Sequence, residues 1–194
     1  MINYVLPQKF EDWIETRNWA LRPHQIEVLT HSNRQSQLLI APTGSGKTLS
    51  GFLPTLIELE SSEFSGLHTI YVSPLKALAS DIKRNLMIPI EEMGLNIRVE
   101  DRTGDTTAAI KRRQRVDPPH ILLTTPESLA LLISFPESKT LFANLKRVVV
   151  DEIHALVESK RGHQLVLPIS RLQSLCANLR KIGLSATVDR PEEI

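Results

Sequence analysis

Cysteine is almost absent, since Cys176 is the only one among 194 residues. A single cysteine excludes an internal disulfide and a zinc site built from several cysteines. Cys176 lies in an apolar stretch that we predict to be helical, so we expect it to pack in the core.

The chain also lacks a targeting segment and a strong charge of one sign. Its N-terminus has no basic–apolar–small signal pattern, and no apolar run approaches the roughly 20 residues of a membrane-spanning helix. We therefore expect a cytoplasmic protein without membrane contact.

The net charge is +1, so any nucleic-acid surface must be a local patch. The densest basic run is residues 111–115, for which a nucleic-acid patch is one interpretation. On a helix these residues point in several directions, and we favour the alternative of a solvated face.

Short β-branched or aliphatic runs alternate with segments of helical periodicity. Strands are predicted at 36–41, 68–72, 97–101, 120–124, 146–150 and 182–185. The clearest helices are predicted at 23–31, 49–59, 75–91, 106–115, 127–134 and 164–179. This alternation predicts an α/β fold of three layers, a parallel sheet with helices on both faces. Right-handed crossovers would bring the carboxyl ends of all strands to one edge, where ligands of such sheets bind.

Residues 41–48 read Ala-Pro-Thr-Gly-Ser-Gly-Lys-Thr, between the first predicted strand and a helix. The N–H groups of a Gly-rich turn converge on an anion, and the following helix points its positive end at the same place. Lys47 is expected to reach the β- and γ-phosphates of a nucleotide, and the Thr48 hydroxyl to ligate Mg²⁺. The predicted nucleotide-binding residues of the loop are Thr43, Gly44, Ser45, Gly46, Lys47 and Thr48. The alternative is a Gly/Ser-rich turn that binds no phosphate.

An acidic pair follows the β-branched run at residues 147–150. Asp151 is placed to hold Mg²⁺, and Glu152 to orient and deprotonate an attacking water. An isolated Asp-Glu after a strand is often only a solvated loop start. Together with the upstream loop, the pair predicts MgATP binding and hydrolysis, with Lys47, Asp151 and Glu152 as the catalytic residues.

With five further segments, these motifs resemble the first RecA-like motor domain of a superfamily 2 DExH-box helicase. More narrowly, the chain resembles the large helicase-related (Lhr-like) group, and its aromatic N-terminus resembles bacterial helicases associated with a DNA ligase. The matching segments are 41–48, 73–78, 102–106, 124–129, 151–154, 158–162 and 185–187. Ala41, where the general phosphate-loop pattern has Gly, is usual in this superfamily. The resemblance implies a RecA-like P-loop domain over 35–194, preceded by a helical segment, 1–34, that recognises adenine.

The resemblance also implies roles for further residues. Gln25 is the adenine candidate, and one aromatic of Phe10, Trp13 and Trp19 is a candidate for stacking on the base, although we expect at least two to anchor the core. His154 is expected to couple the nucleotide to residues 185–187, by contacting Ser185 or Thr187. The segment that couples comprises Ser185, Ala186 and Thr187. Expected contacts with nucleic-acid phosphates are Ser73, Pro74, Lys76, Thr103, Gly104, Asp105, Thr125 and Pro126.

Each of these contacts has a structural alternative. Ser73 and Pro74 also suit an ordinary strand-to-helix turn, with Lys76 a solvated side chain. Thr125 can cap the helix that begins near Pro126, and a capped helix start can itself offer N–H groups to a phosphate.

The implied activity is that of an ATP-dependent helicase or translocase that acts on nucleic acid, with single-stranded DNA favoured over RNA and DNA repair as the process. Such motors have a second RecA-like domain with an arginine finger, for which we find no sequence here. We therefore expect the chain to bind MgATP while being nearly inactive alone. The alternatives are an RNA helicase domain, a nucleotide-gated binding module without turnover, and a small P-loop kinase. A kinase would leave residues 151–154 and 185–187 unexplained.

Overall fold

The computed structural model describes residues 4–74, 76–157 and 159–186, and within these ranges it leaves out the side chains of residues 76–80, 157, 160 and 161. Six strands of the described chain form one sheet in the order β1-β6-β5-β2-β4-β3, and every pairing is parallel. The strands are β1 Ser36–Ile40, β2 Thr69–Val72, β3 Val99–Arg102, β4 Ile121–Thr124, β5 Arg147–Val150 and β6 Arg180–Ser185. Each predicted strand is present, and β6 begins at Arg180, before the predicted residue 182.

Helices connect the strands and cover the sheet. They are α1 Gln8–Thr16, α2 Pro23–Thr30, α3 Lys47–Glu60, α4 Lys76–Glu92, α5 Ala108–Val116, α6 Pro126–Ser134, α7 Ser138–Leu141, α8 Ile153–Val157 and α9 Lys160–Leu175. No helix of the described residues is both long enough and apolar enough to cross a membrane.

The helix predicted at 164–179 was misplaced. Helix α9 starts at Lys160 because the Ser159 side chain caps it by accepting a hydrogen bond from the Gly162 N–H. The helix ends at Leu175, so Cys176 lies just beyond it rather than within it. Cys176 is nevertheless buried, as expected, and its thiol donates to the Phe142 carbonyl at 3.1 Å.

Two apolar cores lie on the two faces of the sheet. Because successive side chains of a strand point to opposite faces, Ile70 packs with residues of α6 and α9, whereas Tyr71 packs with residues of α1–α4. Phe10 and Val28, from the N-terminal segment, belong to the same core as Tyr71. The three-layer α/β architecture predicted from the sequence is therefore confirmed.

An ionic cluster lies at the amino ends of the strands and consists of the buried His68 and Arg147 and the partly exposed Glu58 and Arg180. The Glu58 carboxylate accepts hydrogen bonds from Arg147 at 2.8 Å and from Arg180 at 2.6 Å, and His68 Nε2 lies 3.2 Å from it. Burial alone would raise the pKa of the Glu58 carboxyl, but the hydrogen bond from His68 and the charges and hydrogen bonds of the arginines hold it well below its ordinary value. The cluster fixes the end of the sheet that lies opposite the carboxyl ends.

Hydrogen bonds extend from this cluster through two threonine hydroxyls. Arg147 donates to Thr55 Oγ1 at 2.9 Å, and the Thr55 and Thr69 hydroxyl oxygens lie 2.9 Å apart. Thr69 Oγ1 lies 2.8 Å from Nδ1 of His68, and Nε2 of the same ring lies 3.2 Å from Glu58. Burial lowers the pKa of the His68 ring.

Candidate functional site

The carboxyl ends of the strands are level along one edge of the sheet. Ile40 pairs with Ser185, and Val72 pairs with both Val150 and Thr124. Thr124 in turn pairs with Arg102. The segments that follow these strands therefore emerge at the same edge, as expected for parallel strands with crossover helices. They are residues 41–48, 73–74, 103–106, 125–126 and 151–154.

The loop at residues 41–48 has the geometry of an anion-binding turn. Gly44 and Gly46 have φ values of 76° and 82°, in a region that side chains disfavour, and α3 begins directly after Gly46. The Lys47 side chain is 7% exposed, and its ammonium donates to the Ala41 carbonyl at 2.8 Å. Two further N–H donors remain on that ammonium.

One buried polar atom indicates that the loop binds an anion. The Ser45 hydroxyl is buried and has no hydrogen-bond partner in the described structure, although most buried polar atoms have one. The hydroxyl lies in the turn whose N–H groups precede α3, so a phosphate oxygen there would give it an acceptor. The loop residues thus fit a nucleotide phosphate.

The Asp151 carboxylate is held on both of its oxygens. The Tyr71 hydroxyl donates to Oδ2 at 2.6 Å, and the Glu152 N–H donates to Oδ1 at 2.9 Å. Thr48, the other residue expected to hold magnesium, lines the same cleft as Asp151. Burial, followed by the negative charge of Asp151, raises the pKa of Tyr71 well above its ordinary value, which keeps the hydroxyl a donor. Tyr71 is not predictable from the sequence motifs, because its only signal is a hydroxyl in an apolar strand.

Glu152 and His154 continue the acidic segment toward β6. Glu152 has φ 48°, in the left-handed region, and its carboxylate lies 3.4 Å from His154 Nε2. Nδ1 of the same ring lies 2.8 Å from the Ser185 hydroxyl, which confirms the predicted contact of His154 with Ser185. The alternative partner, Thr187, lies outside the described residues. A continuous polar path therefore joins Glu152 to the end of β6.

A cleft of about 760 Å³ opens in front of the loop and the acidic pair. Its lining includes the segment between α1 and α2, the loop, residues of α4, and both Asp151 and Glu152. A second cleft, of about 800 Å³, is lined by Lys9, Glu60, Phe64 and His120 and contains none of the motif residues. The first cleft is therefore the candidate site, because it alone of the two unites the predicted chemistry.

Gln25 and Trp19 contribute to the wall of this cleft. The Gln25 side chain is buried; Oε1 accepts from the Arg22 N–H at 2.9 Å, and Nε2 donates to the Gly46 carbonyl at 3.4 Å. Phe10 and Trp13 are buried in the core, which confirms that at least two of the three aromatics are anchors. Trp19 is 51% exposed and packs edge-on against Trp13 with ring centroids 5.6 Å apart. Of the three, Trp19 has the exposed ring.

The segments predicted to contact nucleic acid are mostly tied into their own turns. Thr103 Oγ1 accepts from the Asp105 N–H at 3.3 Å, and Thr125 Oγ1 caps α6 by accepting from the Ser128 N–H at 3.3 Å. The structural alternative for Thr125, a helix cap, is therefore present. Ser73 and Pro126 are buried. The Lys76 side chain lies outside the described residues, as does Glu158 in the Lhr-like segment 158–162.

The basic run at residues 111–115 makes local contacts. Lys111 donates to the Gly104 carbonyl at 3.0 Å, and Arg113 forms an ion pair with Glu100. The Arg115 guanidinium lies over the Phe135 ring, 4.1 Å from its centroid. These contacts favour the interpretation of the run as part of the protein surface rather than as a nucleic-acid patch.

The fold and the site define a P-loop motor domain, and comparison with known proteins gives its family. The DEAD/DEAH box helicase family matches residues 22–194, so the chain belongs to that family. It is 40% identical to the ATP-dependent helicase Lhr-Core protein 2 of Thermococcus barophilus, over 98% of this chain and 24% of that relative. It is 39% identical to the Lhr helicase/uracil glycosylase of Escherichia coli, over 98% of this chain and 14% of that relative.

A solved structure shows the same likeness. The Mycobacterium smegmatis helicase Lhr, bound to ssDNA and AMP-PNP, superposes with a TM-score of 0.86 at 39% identity, covering 97% of this chain and 26% of that one. The sequence-based assignment to the Lhr-like group of superfamily 2 helicases is therefore confirmed. The chain spans about a quarter of the length of the archaeal Lhr-Core relative.

Proposed function

We propose that this chain is the MgATP-binding motor domain of an Lhr-like helicase that moves along single-stranded DNA. The observation that carries the proposal is the single cleft in which the Lys47 loop faces Asp151 and Glu152. The neighbouring strand ends carry the segments expected to meet nucleic acid. The similar helicase Lhr of Mycobacterium smegmatis, solved with ssDNA and AMP-PNP, supports both ligands. Association with a DNA ligase, a role in DNA repair and a cytoplasmic location stay predictions of the sequence.

In this proposal the loop binds the phosphates and the acidic pair serves the chemistry. The N–H groups of residues 43–48 and the Lys47 ammonium hold the β- and γ-phosphates, and the Ser45 hydroxyl donates to a phosphate oxygen. Thr48 and Asp151 hold Mg²⁺, which supplies charge neutralisation at the phosphates when bound. Glu152 orients the attacking water and accepts its proton.

The path from Glu152 through His154 to Ser185 connects the Glu152 carboxylate with the end of β6. His154 contacts Glu152 on one ring nitrogen and Ser185 on the other. A shift of the Glu152 carboxylate therefore alters a hydrogen bond at the end of β6. We infer that this path is how residues 185–187 sense the nucleotide.

The DNA strand would run along the ends of β2, β4 and β3. Contacts there would be made to phosphates, because helix starts and turn N–H groups bind anions without distinguishing bases. Since Thr125 caps its helix and Thr103 closes its turn, the backbone N–H groups rather than these hydroxyls are the expected donors. Contacts of this kind distinguish DNA poorly from RNA. A second RecA-like domain would complete both the strand path and the nucleotide site.

Replacing Glu152 by Gln tests the proposed function most directly. In a longer protein that contains both motor domains, Glu152→Gln should abolish DNA-stimulated ATP hydrolysis while leaving MgATP affinity within about twofold, since the amide cannot accept the proton. Hydrolysis is measured as phosphate release with single-stranded DNA, with RNA of the same sequence, and without nucleic acid. Glu137→Gln, at an exposed residue directly before α7, is the matched control.

Retained turnover by Glu152→Gln would show that another group is the base, and stronger stimulation by RNA would favour an RNA motor. Residues 1–194 alone are expected to hydrolyse ATP slowly, because an arginine finger contributes roughly 10³–10⁵ in rate. Robust DNA-stimulated hydrolysis by the isolated chain would contradict that expectation.

The wall of the cleft predicts how the base is recognised. We expect adenine to stack on Trp19 and to hydrogen-bond with the Gln25 amide, which keeps one N–H and one acceptor site beyond its present contacts. Trp19→Ala should weaken ATP binding about 10-fold, since an aromatic stack contributes roughly 1–3 kcal/mol per base. Gln25→Ala should instead reduce the preference for ATP over GTP. Titrations with both nucleotides distinguish the two effects, with Leu131→Ala, an exposed apolar residue on α6, as the control.

Equal losses for ATP and GTP in Gln25→Ala would contradict base recognition by Gln25. Unchanged affinity in Trp19→Ala would remove Trp19 from the base site.

A further inference from the structure

A buried tyrosine holds one of the two residues assigned to magnesium. Tyr71 lies on β2, next to β5 in the sheet, and its hydroxyl donates to Asp151 Oδ2 at 2.6 Å. That distance is typical of a strong hydrogen bond to a charged oxygen. One phenol thus connects β2 with the acidic end of β5.

The carboxylate of Asp151 has little freedom to turn. Its two oxygens have donors from different elements, the Tyr71 hydroxyl and the Glu152 N–H. A rotation of the carboxylate would break both hydrogen bonds at once. Because Asp151 is only 6% exposed, water does not readily replace these donors. The lone pairs left over therefore point in fixed directions.

The tyrosine ring is itself immobilised by packing. Tyr71 is fully buried and stacks on Phe52 with ring centroids 4.6 Å apart and an interplanar angle of 14°. Phe52 lies on α3, the helix that carries Lys47 and Thr48. The hydroxyl therefore holds its position relative to the phosphate loop. A phenylalanine ring would pack equally well at this position. The hydroxyl therefore has a role other than packing.

We propose that Tyr71 is a positioning residue, which orients the Asp151 carboxylate for Mg²⁺ and so sets the metal affinity of the nucleotide complex. This inference rests on the proposed MgATP site. Partners that hydrogen-bond to metal ligands typically change metal affinity 10–100-fold when they are removed. Mg²⁺ demands near-ideal octahedral geometry, so a carboxylate free to rotate would hold it less well.

Tyr71→Phe removes the hydroxyl and keeps the ring that stacks on Phe52. Binding of a fluorescent ATP analogue is measured first in EDTA and then during titration with Mg²⁺ or Mn²⁺. We expect binding in EDTA within about twofold of the parent chain, and a metal concentration at half-saturation about 10-fold higher. Thermal unfolding of each protein shows that the packing is kept. The control is Tyr4→Phe, at the only other tyrosine of the chain.

A second measurement leaves Tyr71 in place. Because the chain has two tyrosines, incorporation of fluorotyrosine gives two ¹⁹F signals, and Tyr4→Phe identifies the one from Tyr71. We expect the Tyr71 signal to shift when Mg²⁺ is added to the nucleotide complex. The inference would be overturned if Tyr71→Phe and Tyr4→Phe reached half-saturation at the same metal concentration. It would also be overturned if the ¹⁹F signal of Tyr71 did not shift on addition of Mg²⁺. Neither result would contradict the nucleotide site itself. Failure of the parent chain to bind any nucleotide would overturn the proposed function and this inference with it.

Discussion

Lys47→Ala is expected to weaken ATP binding at least 100-fold, equivalent to about 2.7 kcal/mol. The Lys47 ammonium is buried at the start of α3 and donates to the Ala41 carbonyl at 2.8 Å. In Lys47→Ala the phosphates lose the other two N–H donors of this ammonium. A hydrogen bond to a charged group contributes roughly 1.5–3 kcal/mol. Alanine also leaves the Ala41 carbonyl without this donor.

The loss should depend on the number of phosphates. We expect titrations of Lys47→Ala to show the full loss for ATP, a smaller one for ADP, and almost none for adenosine, since the ammonium is expected to reach only the β- and γ-phosphates. Lys139→Ala, which removes an exposed lysine from α7, is the matched control for the change in net charge. Equal affinities of Lys47→Ala and Lys139→Ala for ATP would refute the assignment of Lys47.

Glu58→Ala should lower the free energy of unfolding by about 3–5 kcal/mol, the usual cost of removing one partner of a buried ion pair. Arg147 is fully buried and loses the carboxylate that accepts its hydrogen bond at 2.8 Å. Arg180 and His68 lose the same acceptor. For a chain of this size each kcal/mol corresponds to roughly 2–4 °C, so the melting temperature should fall by roughly 6–20 °C.

Urea and thermal unfolding measure this loss. Glu60→Ala is the control on the same helix, because Glu60 forms a partly exposed ion pair with Lys9 at 3.2 Å. Such surface pairs contribute about 0–1 kcal/mol. If Glu58→Ala and Glu60→Ala lowered the free energy of unfolding equally, the cluster around Glu58 would contribute no more to stability than a surface ion pair. The amino ends of the strands lie opposite the nucleotide cleft, so Glu58→Ala that is still folded should keep its ATP affinity.

The sheet was predictable from sequence because its strands are short, buried and bounded by turns. The runs at 68–72, 120–124 and 146–150 are β-branched or aliphatic, and each strand is buried along its whole length. The end of α9 was not predictable in the same way. Apolar spacing continues through Cys176 and Leu179, which are buried although the helix has ended, so periodicity alone extended it. The starting point depends on the Ser159 cap.

The site was predictable where its residues are neighbours in sequence, and not where they are neighbours only in space. The loop and the acidic pair are local motifs, and each chemistry follows from a few adjacent residues. Tyr71 is 80 residues from Asp151, and Glu58 is 89 residues from Arg147. Both pairs depend on which strand lies beside which, and on the face that each residue takes. The contact of His154 with Ser185 was found only because a family resemblance supplied it.

At Glu152, a substitution that stabilises the fold would remove the proposed activity. A non-glycine residue in the left-handed region costs roughly 1–2 kcal/mol, and at φ 48° Glu152 is one of two such residues in the described chain, with Asn18. Glycine at this position would relieve the cost, yet it would also remove the carboxylate proposed as the base. A screen of variants for heat resistance alone would therefore enrich inactive proteins at residue 152. Thermostable versions of this motor are better sought by leaving that residue fixed and improving the surface elsewhere.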